Sequence, residues 1–197
     1  LLDGEVDLLL FESFDELPMI VEGIRAAREL DVDIPIVAQM RFGEDEKTRV
    51  GGDEPERCAE VLSALPIDVV GTNCASADEI LRVVERMKTA THLPVSAQPN
   101  LGNPKSVEDR VIYMATPEYL MEYTRRMIHK GARVIGACCG STPDHIRSIR
   151  SSIRMIQPTA IPESDARPAK RPTTPPTVEI VGSPTRREYH PRRVRTP

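Results

Sequence analysis

The chain has 197 residues, of which 40% are hydrophobic, and carries a formal net charge of -4. These values are typical of one globular domain with a tail, and the weak negative charge gives no indication of a nucleic-acid partner. No run of about 18 apolar residues occurs, so no membrane span is expected. Four cysteines, two of them adjacent, form a poor disulfide framework. They favour a reduced, cytoplasmic protein with a metal or reactive site.

Short apolar runs alternate with segments whose apolar residues recur at helical spacing, which predicts strands that alternate with helices. Residues that favour helix ends mark several boundaries: Ser76, Thr116 and Thr142 are suited to capping, and Gly131 ends a helix. In chain order, the predicted units are the strand Val6–Phe11 with the helix Leu17–Leu30, Ile34–Met40 with Glu56–Ala64, Val69–Asn73 with Ala77–Lys88, Val95–Gln98 with Pro117–Lys130, and Val134–Ala137 with a helix that runs from the Thr142 cap to about Ile156.

Strict alternation of strands and helices predicts an α/β fold with a parallel sheet and right-handed crossovers. The first strand, a nearly continuous apolar run, is expected to be buried on both faces. Two architectures fit: an open doubly wound sheet, or part of an eight-stranded barrel. The long polar loop from Arg41 to Pro55 is expected to lie near a ligand. Residues 158–197, rich in Pro and Arg, are predicted to be a disordered tail or linker after a domain of residues 1–157.

In folds of this kind, ligands collect at the carboxyl ends of the strands. Three of the four cysteines fall at such ends: Cys74 follows one predicted strand, and Cys138 and Cys139 close another. Three thiolates suit zinc and leave its fourth position open, which is the pattern of a catalytic site. Adjacent side chains point to opposite faces of a regular strand, so the backbone must bend there, and the flanking Gly136 and Gly140 permit it. Two buried cysteines or a vicinal disulfide are the alternatives.

Two motifs carry a resemblance to a known family. Gly71-Thr72-Asn73-Cys74 and Gly136-Ala137-Cys138-Cys139-Gly140 resemble the paired zinc motifs of the homocysteine S-methyltransferases. That family includes the homocysteine-binding domain of methionine synthases, the betaine-homocysteine methyltransferases, and bifunctional proteins that join this domain to methylenetetrahydrofolate reductase. Three further segments also match: Leu9–Phe14, Ser96–Gly102 and Tyr113–Pro117.

The resemblance implies a partial (β/α)8 TIM barrel in which the chain supplies the last five strand–helix units. It implies Zn²⁺ as cofactor, held by Cys74, Cys138 and Cys139, with no catalytic residue beyond the metal site. Homocysteine and a methyl donor would be the substrates, and methionine the product. Glu12 is expected to bind the substrate ammonium group. Asn73 is expected to orient a ligand or to bond the loop backbone.

Several points stay open from the sequence. The methyl donor is not indicated. An amino-terminal barrel segment or a reductase domain would be a partner if the chain works as part of a larger assembly. A second hypothesis is a non-catalytic zinc-binding remnant or one half of a split protein. A third is a phosphate-binding barrel enzyme that uses Gly136–Gly140 and the amino terminus of the following helix.

Overall fold

The computed structural model describes residues 4–30, 33–102, 104–107 and 110–156. The proposed tail at residues 158–197 lies outside the described residues. The helices and strands, in chain order, are β1 (Leu9–Phe14), α1 (Leu17–Arg28), β2 (Ile36–Met40), α2 (Pro55–Ser63), β3 (Val69–Asn73), α3 (Ala77–Thr89), β4 (Val95–Gln98), β5 (Lys105–Val107), β6 (Arg110–Ile112), α4 (Pro117–His129), β7 (Ala132–Ile135) and α5 (Pro143–Met155).

Five of the strands form one sheet in the order β1-β2-β3-β4-β7, and every neighbouring pair is parallel. The predicted α/β class, the parallel sheet and the five strand–helix units are therefore confirmed. β5 and β6 form a separate antiparallel pair inserted between β4 and α4. This pair was not predicted, because strands of three residues are too short to show an alternating pattern. Among the described residues, no helix is both long and apolar enough to span a membrane.

Helix boundaries follow the predicted caps. Ser76 and Glu79 form a capping box at the start of α3, in which each side chain bonds the backbone N–H of the other. The Thr116 hydroxyl accepts a hydrogen bond from the Tyr119 N–H at the start of α4. α4 ends at His129, and Gly131 follows two residues later. Its φ of 108° is readily adopted only by glycine.

The first strand differs from its prediction. It begins at Leu9 rather than Val6, ends at Phe14 rather than Phe11, and lies at one edge of the described sheet. Burial on both faces was wrong, because Leu10 is 41% exposed. The last strand also shifts, to Ala132–Ile135, because the turn at Gly131 leads directly into it.

The two faces of the sheet have different surroundings. The outer face packs against the helices and carries the core, in which Ile36, Ala38, Met40, Val70, Val95 and Ala97 are fully buried. The inner face, defined here by Leu10, Glu12, Gln39, Gly71, Asn73, Ser96 and Val134, points away from the helices. One polar pair on this face links β2 to β4, through the 2.9 Å hydrogen bond from Gln39 Nε2 to Ser96 Oγ. The carboxyl ends of the strands border this face.

Candidate metal centre

Three cysteines meet at the carboxyl ends of β3 and β7. The Sγ atoms of Cys74, Cys138 and Cys139 all lie within 4.8 Å of one another. Residues 98–101, which run from the last residue of β4 into the loop after it, lie between the two cysteine segments and bond to both. Cys74 N–H donates to the Gln98 carbonyl at 3.1 Å, and Leu101 N–H donates to the Cys139 carbonyl at 3.1 Å. Backbone hydrogen bonds therefore fix the position of the thiols before any ion binds.

The predicted bend in the backbone is present. β7 ends at Ile135, and Cys138 and Cys139 lie in the turn that follows, where Gly140 has a φ of 82°. Cys74 itself has a φ of 61°, a backbone conformation that residues other than glycine rarely adopt. The Sγ atoms of Cys138 and Cys139 thereby come to 3.8 Å from each other instead of pointing to opposite faces. Such an outlier at a strand end is typical of a functional position.

Neither alternative for the adjacent cysteines matches the geometry. The Sγ atoms of Cys138 and Cys139 lie 3.8 Å apart, well beyond the length of a disulfide bond. Cys138 is half-buried and Cys139 is exposed, so they are not two core residues. The spacing instead fits a tetrahedral zinc site, in which sulfur atoms bound at 2.3 Å would lie about 3.8 Å apart.

Electrostatics at the cluster favour a bound cation. Burial raises the pKa of the Cys138 thiol to about 12. Burial, followed by the neighbouring Cys139, also raises the pKa of Cys74, while the positive charge of Arg41 acts in the opposite direction. Three thiolates this close together repel one another, so a divalent cation among them would stabilise all three. The donor set and its spacing both fit the predicted ion.

Asn73 is fully buried beside Cys74, and its amide is occupied by Ser13. Ser13 N–H donates to Asn73 Oδ1 at 2.8 Å, and Asn73 Nδ2 donates to Ser13 Oγ at 2.8 Å. Ser13 has a φ of 63°, so Asn73 holds an unfavourable backbone conformation at the end of β1. The amide thus links the ends of β1 and β3. Asn73 does bond to backbone, as one of its two expected roles requires, but the partner is Ser13 in β1 rather than a loop residue. Contact of Asn73 with a ligand stays a prediction.

Replacement of Asn73 by alanine is expected to destabilise the fold by about 2–3 kcal/mol, because it removes both hydrogen bonds to Ser13 and leaves a cavity at a fully buried position. Replacement of Ser13 by alanine removes the hydroxyl but keeps the backbone bond, and is expected to cost about 1 kcal/mol. Urea unfolding followed by circular dichroism measures both. Equal losses in the two variants would show that the bond to the Ser13 backbone contributes nothing.

Glu12 lies within β1 rather than at its end, since the strand continues to Phe14. Its side chain is exposed on the inner face, while the neighbouring Phe11 points to α1, where its ring would meet a Cβ added at Gly23. The predicted strand ended at Phe11, just before Glu12, and that boundary was wrong because the strand continues two residues beyond Glu12. Binding of an ammonium group by Glu12 stays a prediction.

Ser13, the partner of Asn73, was not predicted as a site residue, because a serine after a predicted strand indicates nothing specific by itself. A cavity of about 430 Å³ was also not predicted. It lies beside the Cys74 segment, between the start of α3 and the start of α4. Its lining residues are Ser76, Ala77, Leu101, Gly102, Met114, Ala115, Thr116 and Tyr119.

Known proteins resemble the chain in fold. It superposes on the Escherichia coli homocysteine methyltransferase MmuM in its apo form, with a TM-score of 0.63, 20% identity, and coverage of 77% of this chain and 51% of that one. For the metallated form of the same protein the TM-score is 0.58 and the identity 22%, over 76% of this chain and 46% of that one. The five units therefore form part of a (β/α)8 barrel.

Sequence comparison adds the family. Methionine synthase of Mycobacterium leprae (strain TN) is 27% identical over 171 residues, which cover 84% of this chain and 14% of the relative. Methionine synthase of Mycobacterium tuberculosis (strain ATCC 25618 / H37Rv) is 28% identical over 163 residues, again 14% of its length. The chain thus spans a small part of these relatives. The model of the family described as homocysteine S-methyltransferase matches residues 1–153. This chain belongs to the homocysteine S-methyltransferase family.

Proposed function

We propose that the chain takes part in the zinc-dependent transfer of a methyl group to the thiol of homocysteine, giving methionine. The observation that carries the proposal is the cluster of three thiols within 4.8 Å at the ends of two strands. Family membership supports the reaction class. A methyl donor is the second substrate, and its identity is not part of the proposal.

Zinc is the proposed cofactor, and Cys74, Cys138 and Cys139 are its proposed ligands. When bound, zinc would lower the pKa of a thiol that joins it, so that the thiol is present as the reactive thiolate at neutral pH. Three protein ligands leave one position for the substrate sulfur. No general base is then required from the protein, and none is proposed.

The protein itself would position and orient the reactants. Hydrogen bonds from residues 98–101 hold the two cysteine segments, and the Asn73–Ser13 pair holds the backbone that leads into Cys74. Glu12, on the inner face, is the proposed partner of the substrate ammonium group. An amino-terminal barrel segment, or a reductase domain, is a proposed partner of this part of the fold.

The alternatives have less support. A phosphate site at Gly136–Gly140 would use the first N–H groups of α5, but the Thr142 N–H already donates to His145 Nδ1 at 3.1 Å. A non-catalytic zinc-binding protein would keep the same cysteine geometry. Only a measurement of methionine formation distinguishes a non-catalytic zinc-binding protein from an enzyme.

The test begins with zinc-loaded protein purified under reducing conditions. Homocysteine is added with one of four donors, namely S-adenosylmethionine, S-methylmethionine, betaine or methylcobalamin, and methionine is measured by mass spectrometry. The Cys74→Ala variant, which lacks one proposed ligand, is the control and should give no methionine. Bound zinc without turnover for any donor would contradict the catalytic proposal and favour the zinc-binding alternative.

A further inference from the structure

Arg41 follows β2 directly, at the same edge of the sheet as the cysteines. In the β2–β3 pair, Gln39 lies opposite Gly71 and Met40 opposite Thr72, so the next residue, Arg41, lies beside the end of β3 at Asn73. Its N–H donates to the Phe14 carbonyl at 2.7 Å, which ties it to β1 as well. Arg41 is therefore fixed by its backbone between the end of β1 at Phe14 and the end of β3, which leads into Cys74.

The alternation along β2 indicates the direction of the side chain. Met40 is fully buried on the outer face, and Gln39 bonds to Ser96 on the inner face. Side chains alternate along a strand, so Arg41 belongs to the inner face, where it is exposed. Glu12 lies on the same face of the neighbouring strand, because Phe11, its neighbour in sequence, pairs with Ala38 and points to the helices.

The charge of Arg41 is available for a ligand. Within the part of the chain that the structure describes, no carboxylate lies within ion-pair distance of its guanidinium, whereas Lys47 of the same loop pairs with Glu54 at 3.0 Å. An unpaired guanidinium beside a cluster of thiols is suited to an anionic group of the molecule that binds there.

Homocysteine carries three groups that need partners: a thiol, an ammonium and a carboxylate. The proposed function already assigns the thiol to the metal centre and the ammonium to Glu12. The geometry points to Arg41 as the residue that binds the α-carboxylate of homocysteine, an inference that rests on the proposed function. A guanidinium matches a carboxylate with two parallel hydrogen bonds, which a lysine ammonium cannot reproduce. Arg41 would then select amino acid thiols over simple alkyl thiols.

The test compares two thiols on zinc-loaded protein by isothermal titration calorimetry. L-Homocysteine carries the carboxylate, and 3-aminopropane-1-thiol is the same molecule without it. In the Arg41→Met variant, the affinity for L-homocysteine is expected to fall about 10- to 100-fold, and that for 3-aminopropane-1-thiol to stay unchanged. Arg41→Lys should recover part of the loss. Arg49→Met, which removes another exposed arginine of the same loop, is the matched control and should change neither affinity.

Each variant is first checked for one zinc per chain and for an unchanged circular dichroism spectrum. A lower affinity for L-homocysteine then reflects the lost contact with its carboxylate, and not a loss of zinc or of the fold. If Arg41→Met lowers the affinity for both thiols equally, or for neither, Arg41 is not the partner of the carboxylate. The proposed function then stands without this role for Arg41. If neither thiol binds to the zinc-loaded wild-type protein, the proposed function fails, and the assignment of Arg41 fails with it.

Discussion

Replacement of Cys138 by alanine is expected to weaken zinc binding by more than about 100-fold, so that the purified variant contains almost no zinc. The estimate is a lower bound, because loss of a residue that only supports a metal ligand already costs about 10- to 100-fold in affinity. Cys138 contributes one of three thiols within 4.8 Å, and two thiols from separate strand ends make a much poorer site. Elemental analysis after purification under reducing conditions measures the zinc content, and competition with a chelator measures the affinity.

The matched control is Cys58→Ala. Cys58 is fully buried in the core and belongs to α2, away from the cluster. This variant is expected to keep one zinc per chain, although it removes the same chemical group. A Cys138→Ala protein that retained stoichiometric zinc would show that the three cysteines are not the ligands. Loss of zinc from both variants would instead point to a general effect on folding.

Zinc loss in the Cys138 variant is not expected to unfold the chain. The core of the described residues lies on the outer face of the sheet, between the strands and α1 to α4, and the cysteines contribute nothing to it apart from Cys58. The backbone bond from Cys138 N–H to the Pro99 carbonyl at 2.8 Å also remains in the alanine variant. The zinc content therefore reports on the ligands rather than on the stability of the fold.

The sequence predicted those parts of the fold that depend on local patterns. Val69–Asn73 and Val95–Gln98 were predicted with the bounds that the structure has. The capping function of Ser76 followed from residue type alone. The three cysteines were brought together in the prediction by one rule, that the carboxyl ends of parallel strands share an edge.

Other features depend on contacts that no local pattern records. The edge strand β1 shifted by three residues, because an apolar run does not show which of its residues will pair with a neighbour. The bond between Asn73 and Ser13 joins residues 60 positions apart. The direction of Arg41 depends on the β2–β3 register, which only the assembled sheet defines. The sequence thus predicted that the three cysteines lie together, but not how their positions are supported.

Gly71→Ala is expected to destabilise the protein by about 4 kcal/mol or more, a large part of the about 5–15 kcal/mol by which a typical domain is stable. The sequence showed Gly71 only as part of a motif, and the structure gives the physical reason for it. A Cβ at this position would lie 2.0 Å from Ser96 Oγ and 2.3 Å from the Ser96 carbonyl oxygen. The two strands are paired directly at this point, so they would have to separate. Urea unfolding followed by circular dichroism measures the loss.

Gly102→Ala is the matched control. Gly102 has a φ of 84° but nothing within 4 Å of an added Cβ, so this variant should lose only the about 1–2 kcal/mol that a left-handed conformation costs. Combining Gly71→Ala with Ser96→Ala removes the hydroxyl clash but leaves the carbonyl in place, so little stability should return. Full rescue by the second substitution would mean that the side chain alone prevents a Cβ here. Failure to rescue would show that the close approach of the β3 and β4 backbones, directly below Asn73 and Cys74, is what requires glycine.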